Sequence, residues 1–334
     1  MDHNQRRSTL SPITLSTPEV EEIIVDQTGM RIDAWLAKKF PQRSRSYIQE
    51  LIEKGFVARH GCKVKKRNRV EQGEVISVQW IPRPDSWGIV PEPLSLDLLF
   101  EDESILVVNK PPHMVVYPAP GHPNRTLANG LVHYLPQLER LDRSGIVHRL
   151  DSGTSGIMVV AKNREVQSFL FQQFSERKVE KEYIAICRGI PHNQTINTPV
   201  GRDPHHRKKQ KAFFLREGGK EAVSHLRTLA SDRGLSALSI RIETGRTHQI
   251  RVHCQAINHP IVGDGIYGDN GDRPLLHAYR LRLKHPHGGW KEYFAPLPED
   301  ISGYAERIHK GLAHSLSNRY YPYQQRGVLQ KKRD

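Results

Sequence analysis

Four prolines fall within the fourteen residues "IPRPDSWGIVPEPL", Ile81 to Leu94. Each proline lacks an amide hydrogen and fixes its own φ, so neither a helix nor a central strand runs through such a stretch. The chain therefore reads as two folded parts joined by a linker over residues 81–95, and 334 residues leave room for both. The hydrophobic pattern differs on the two sides.

Upstream, a compact block spans residues 29–80. "RIDAWLAKKF" sets Ile32, Trp35, Leu36 and Phe40 on one helical face. Ser44 is placed to cap a second helix with Tyr47, Ile48, Leu51 and Ile52 on its apolar side, ending near Gly55. Short alternating segments follow, "FVARHG", "KVKKRNRV" and "EVISVQW", with turns at His60-Gly61 and Gln72-Gly73, which predicts a small sheet. The block holds twelve Lys and Arg against five Asp and Glu, half of the chain's formal excess of +14 in about a sixth of its length. Charge of that size and clustering points to a polyanionic partner. Arg43, Arg45, Lys63, Lys65, Lys66 and Arg67 are the candidates for one basic surface, against the plainer reading of a solvated face.

Downstream, residues 96–313 read as a larger domain. "SILVVNKPP", "GIMVVAKN", "KEYIAICRG" and "LSALSIRIET" are expected strands. "REVQSFLFQQFSE" places Val166, Phe169, Leu170 and Phe174 on a helical face, and "THQIRVHCQAI" lines up Ile250, Cys254 and Ile257. Residues 1–20 are rich in Ser, Thr, Pro and Gln and read as a disordered tail, and 314–334 as a basic C-terminal tail. The N-terminus lacks the apolar core of a signal peptide, and no apolar run reaches the ~18 residues of a membrane span. Cys62, Cys187 and Cys254 form no CxxC pair, which argues against a disulfide framework and for a reduced, cytoplasmic setting. Eighteen histidines show no metal-ligand spacing, so no metal site is expected.

Four segments carry possible chemistry. "GIVHRLDSGTSG" sets Asp151 behind His148 and Arg149 in a turn of glycines and small hydroxyls. A lone Asp in such a turn is more often structural than catalytic. "ETGRTHQIRVH" concentrates Arg246, His248, Gln249, Arg251 and His253, donors suited to phosphate or a base edge. In "VEKEYIAICRG", Tyr183 lies among strand formers and is equally readable as sheet core. "RDPHHRKKQK" carries five Lys and Arg, among them Arg207, Lys208, Lys209 and Lys211, against one Asp, and reads as an exposed basic loop.

Taken together, these motifs resemble those of a known family. Residues 96–300 are similar to the RluA/RluD family of pseudouridine synthases, through "ILVVNKPPHMVV", "GIVHRLDSGTSGIMVVAKN", "KEYIAICRG", "ETGRTHQIRVHCQAINHPIVGDGIYG" and "LLHAYRLRLKHP". The upstream block resembles an S-four-type RNA-binding module, through Arg31, Asp33 and Leu36, then Ser44-Arg45-Ser46, then Gly55, Val57 and Gly61. It departs from that pattern in having His60 before the last glycine, where the family usually has Asn; the larger part departs at Tyr117, where the family often has His.

The resemblance implies an α+β fold, a mixed, largely antiparallel sheet with a central cleft, preceded by a small α/β RNA-binding module. It implies that Asp151 is the catalytic aspartate, that Tyr183 stacks on the target base, and that Arg251 pairs with Asp151, with Arg246 the second choice. Arg149 would fill the space left by a flipped uridine. RNA would be the partner, ribosomal RNA first and transfer RNA second, with a monomeric enzyme and no cofactor. Two rival readings are an RNA-binding assembly factor without turnover and a carboxylate glycosidase on nucleosides. The latter needs a second acid, for which only Glu243 offers itself.

Overall fold

The structure is a computed structural model that describes residues 19–41, 43, 45–80, 89–119, 121–206, 209–213 and 218–318. Residues 1–18 of the expected tail, the Ser44 cap, residues 81–88 of the linker expected at 81–95, Arg207, Lys208 and residues 319–334 lie outside the described residues. The rest of that linker packs on the larger fold, with Ile89 in its core and the Val90 carbonyl accepting from Asn129. The chain divides into two compact units, Met1–Asp85 and Ser86–Asp334.

In the first unit the elements run β1 (Glu19–Ile24), α1 (Ile32–Lys39), α2 (Arg45–Lys54), β2 (Val57–Arg59), β3 (Cys62–Lys63) and β4 (Val75–Trp80). The strands form an antiparallel sheet in the order β1-β4-β2-β3. Ile32, Trp35 and Leu36 from α1 and Tyr47, Ile48, Leu51 and Ile52 from α2 are buried together with Ile76, Val78 and Trp80 of β4. Phe40 packs against this core without being fully buried.

Two expectations are corrected here. Residues 19 and 20, assigned to the disordered tail, belong to β1, whose acidic sequence and exposed Val20 and Ile24 conceal it in the pattern. Of the strand expected at 63–70 only Lys63 lies in one, the two-residue β3. The chain then turns back on itself, with the Asn68 amide donating to the Lys65 carbonyl at 2.8 Å.

In the second unit the elements run β5 (Asp97–Glu101), β6 (Ile105–Lys110), α3 (Leu127–Tyr134), β7 (Ser155–Ala161), α4 (Arg164–Ser175), β8 (Glu180–Arg188), β9 (Gln194–Asn197), β10 (Val200–Arg202), β11 (Gln210–Ala212), β12 (Val223–Asp232), β13 (Leu235–Ile242), α5 (Gln249–Ala256), β14 (Leu276–Lys284), β15 (Trp290–Phe294), α6 (Glu299–Ile308) and α7 (Leu312–Asn318). α7 carries ordered chain beyond residue 313, where the basic tail was expected to begin, and the Tyr279 hydroxyl donates to the Leu316 carbonyl at 2.5 Å.

A nine-stranded sheet in the order β5-β6-β7-β14-β8-β13-β12-β9, with β15 also on β14, forms the frame. All its pairings are antiparallel except β7 with β14, which meet in parallel at His277–Ser155 and Ala278–Gly156. From Arg280 onward β14 pairs with β15. The two halves of the sheet thus join through a short central seam. Gly156 sits on that seam with φ +118°, and a Cβ there would lie 2.2 Å from the Ala278 carbonyl oxygen. Only glycine lets the two backbones approach so closely. β7 is buried along its whole length, and Val166 and Leu170 of α4 are buried in the same core. The sheet brings the loop before β7, the middle of β8 and the end of β13 to one place. Among the described residues no helix is long and apolar enough to cross a membrane.

Candidate active site

Asp151 lies four residues before β7, in a turn closed by the Thr154 amide donating to the Asp151 carbonyl at 3.1 Å. The turn is tied down from the neighbouring strand. Lys110, at the end of β6, is fully buried and its Nζ donates to the carbonyls of Pro111, Met114 and Ser152 at 2.7, 2.9 and 3.0 Å. Burial pulls the Lys110 ammonium down to about 7, with Asp151 opposing and Arg273 adding to the fall. Three carbonyl acceptors suit an ammonium, which has three hydrogens to place. The Ser152 contact therefore holds the peptide next to Asp151.

The partner of Asp151 comes from α5. Arg251 Nη1 donates to Asp151 Oδ2 at 3.4 Å, while its Nε and Nη2 form a fork onto Asp264 at 2.7 and 2.8 Å. Asp264 is fully buried, and its Oδ1 also accepts from the amides of Ile266 and Tyr267. Burial works against the Arg251 charge, but the bonds and charge of Asp264, then the charge of Asp151, outweigh it and hold the guanidinium pKa above its ordinary value. A bidentate fork of this kind fixes the guanidinium plane. It leaves one nitrogen aimed at Asp151.

The two residues share an open cleft enclosing about 520 Å³, mouth included, lined by Arg149, Asp151, Tyr183, Arg246, His248 and Arg251 with Leu150, Ile242, Ile250 and Leu276 as apolar wall. Tyr183 is buried on β8, and burial, reinforced by the Asp151 charge, raises its phenol pKa above the ordinary value. It is a neutral phenol with an aromatic face. Arg149 is exposed at the cleft wall. The Arg246 Nε donates to the Glu221 carbonyl at 2.9 Å. The opening of α5 is unusual, because His248 precedes it with φ 57° and ψ 17°, a left-handed conformation. Its Nδ1 is 2.8 Å from the Tyr267 hydroxyl and its Nε2 is 3.9 Å from Asp151 Oδ2. Burial lowers the His248 pKa, with Asp151 opposing, which favours the uncharged ring.

Two expected RNA-contacting residues are corrected by the geometry. His148 faces inward: its Nε2 accepts from the Val159 amide at 3.0 Å and its ring stacks on Phe174 at 4.6 Å. Burial, with a smaller push from Lys181, lowers its pKa to about 3. Gln249 touches the cleft, but its amide is fully used. Its Oε1 accepts from Thr244 and the Arg246 amide, and its Nε2 donates to the Val223 carbonyl and Ser224. No hydrogen-bonding capacity is left for a base.

The basic candidates outside the cleft fall into two groups. Lys209 and Lys211 are half-buried at the β10–β11 hairpin, with Lys211 Nζ 5.0 Å from the Phe213 ring centroid. In the first unit Lys65 and Arg67 are exposed, and Arg43 lies over Tyr47 and Trp80. Arg45 and Lys66 are engaged by Asp33 and Glu53 respectively. Sequence reasoning missed Lys110, Asp264 and Tyr267. A lysine closing an apolar strand in "VVNKPP", and an acid between glycines in "GDG", were the available signals.

A family model described as RNA pseudouridylate synthase matches residues 104–256, and one described as S4 domain matches 30–76. The chain is 42% identical to ribosomal large subunit pseudouridine synthase D of Neisseria meningitidis serogroup A, over 88% of this chain and 83% of that protein. It is 39% identical to the synthase of the same name from Yersinia pestis, over 82% and 90%. Among solved structures, human RNA pseudouridylate synthase domain containing 1 superposes with a TM-score of 0.52 at 29% identity, over 63% of this chain and 89% of that one.

Proposed function

This chain belongs to the RNA pseudouridylate synthase family, and from that premise we propose that it isomerises uridines of large-subunit ribosomal RNA, with Asp151 as the acting carboxylate. The reaction breaks the glycosidic bond of uridine, turns the uracil and rejoins it through carbon 5, which sheds its hydrogen. The observation that carries the site assignment is Asp151, held in an open cleft by the buried Arg251–Asp264 pair beside the ring of Tyr183.

Each residue has a task in this reading. Asp151 supplies a negative oxygen as nucleophile or base on the nucleotide. Arg251 keeps that carboxylate oriented. Tyr183 offers a face for the uracil, and its raised pKa keeps it a phenol able to donate or relay a proton. A paired uridine must first leave its stack, at a cost of roughly a few kcal/mol. Arg149, exposed at the cleft wall, is suited to fill the space it vacates. Phosphate contacts from Lys65, Arg67, Lys209, Lys211 and Arg246 help offset that cost. The ribosomal substrate is favoured by the names of the relatives and by the S4 match. We read the protein as a cytoplasmic monomer, and its three free cysteines fit a reduced compartment.

The test is release of tritium from RNA labelled at carbon 5 of uracil. Wild type is expected to release it from a large-subunit ribosomal transcript and not from small-subunit or transfer RNA. Asp151→Asn is expected to lose about a thousandfold or more in rate while still retaining RNA on a filter. Substantial turnover by that variant removes Asp151 from its role. Release from transfer RNA alone overturns the ribosomal assignment.

A further inference from the structure

Two contacts converge on the same oxygen of Asp151. Arg251 Nη1 approaches Oδ2 at 3.4 Å and His248 Nε2 approaches it at 3.9 Å. Oδ1 is then the oxygen available to act, and whatever sets the Oδ2 contacts sets its direction.

His248 is linked in turn to a distant segment. The Tyr267 hydroxyl accepts from the Gln210 amide of β11 at 2.7 Å and lies 2.8 Å from His248 Nδ1. The arrangement that uses every hydrogen has Tyr267 donating to Nδ1, which puts the imidazole proton on Nε2, facing Asp151. A line of polar groups therefore runs from the backbone of the β10–β11 hairpin through a phenol and an imidazole toward the carboxylate, with the last step, 3.9 Å from Nε2 to Oδ2, still open.

Both ends of this line are built for the purpose. The hairpin strands carry Arg202, Lys209 and Lys211 at and beside Gln210, charges suited to phosphate. At the foot of the hairpin its own Val200 and Ala212 pack with Ala222, Val252 and Tyr267. Movement of the hairpin thus reaches Tyr267 by packing as well as by hydrogen bond. At the other end, the left-handed backbone of His248 is a strained conformation for a residue with a side chain, of the kind that marks sites able to shift. A closure of roughly 1 Å brings Nε2 to hydrogen-bond length from Oδ2.

We propose that Tyr267 and His248 are positioning residues that couple the basic β10–β11 hairpin to Asp151, so that seating an RNA backbone on the hairpin brings His248 Nε2–H onto Oδ2 and aims Oδ1 at the nucleotide. The proposal rests on Asp151 being the acting carboxylate.

The experiment measures single-turnover tritium release at saturating large-subunit transcript, and separately filter-binding affinity, for the full chain. Tyr267→Phe removes only the hydroxyl and keeps the ring under the Arg251 guanidinium, whose carbon is 5.0 Å from its centroid. Its saturated rate is expected to fall about tenfold with affinity held within about twofold. Replacing Lys209 and Lys211 by Ala in wild type is expected to lower both affinity and saturated rate; in the Tyr267→Phe background it is expected to lower affinity alone. His248→Asn, which tolerates the left-handed backbone, is expected to match Tyr267→Phe in rate.

A wild-type rate for Tyr267→Phe, a loss confined to affinity, or additive rate effects each overturn the coupling. Asp151→Asn is run alongside. Turnover by that variant sinks the underlying site assignment, whereas its inactivity beside a fully active Tyr267→Phe sinks the coupling alone.

Discussion

At the scale of single residues, the site is a charge arrangement in which one cation serves two anions. Arg251 sits between Asp151, at the cleft, and Asp264, behind it, and both its carboxylate contacts are made from a nearly buried position. Removing the charge of Asp264 would leave a buried guanidinium with only the longer Asp151 contact. Breaking one side of a buried pair typically costs about 3–5 kcal/mol. Asp264→Asn, which keeps the volume, is expected to lower the melting temperature and cut turnover at saturating RNA by about tenfold or more, read by calorimetry and tritium release. Unaltered melting and rate would make Asp264 a bystander.

At the scale of elements, the neighbourhood of the β7–β14 seam is sensitive to acid. His277 on β14 is fully buried, with Nδ1 2.9 Å from Ser155 Oγ, and burial lowers its pKa to about 4. His148, which accepts from a β7 amide, is lowered by burial to about 3. In the unfolded chain both titrate near 6.5. Below that value the unfolded state binds protons that the folded state refuses, so stability rises with pH across the window. Their contribution is complete above about pH 6.5 and is lost as pH falls toward 4 and then 3. The melting temperature is expected to drop steadily from pH 7 to pH 4, and less steeply in His277→Gln. A flat profile would mean that these rings are not buried neutral.

At the scale of the whole molecule, two units with separate cores divide the work. The first is built on Trp35, Leu36, Ile48 and Leu51, and the second on the buried faces of its nine-stranded sheet. A chain starting at Ser86 is therefore expected to fold cooperatively and to keep its cleft. Without the strongly basic block at 29–80 it is expected to bind RNA more weakly. The slope of log affinity against log salt should fall by about two to four. The reduction is smaller than the twelve basic residues of that block suggest, because cations such as Arg45 and Lys66 are already paired within the unit. An unchanged slope would remove the S4 domain from RNA binding.

Much of this was legible in the chain itself. Helical spacing placed Trp35, Leu36, Leu51, Val166 and Leu170 in cores, since burial of one face is written in local periodicity. The turn holding Asp151 and the strand after it were equally readable, and the order of motifs carried the family. What spacing cannot encode is which distant groups meet. The partner of Asp151, 100 residues further on, was named by the family resemblance and not by spacing, and the acid that holds that partner, another turn of chain beyond α5, was named by neither. Neighbours with similar chemistry also part company. His148 and Arg149 are adjacent and basic, yet one turns into the core to accept a backbone hydrogen bond and the other faces the cleft. Gln249 looked like a base reader until its four hydrogen bonds were closed by β12, Thr244 and the Arg246 amide. A polar side chain's availability depends on the partners the fold brings to it, and those partners are set by packing across the sheet.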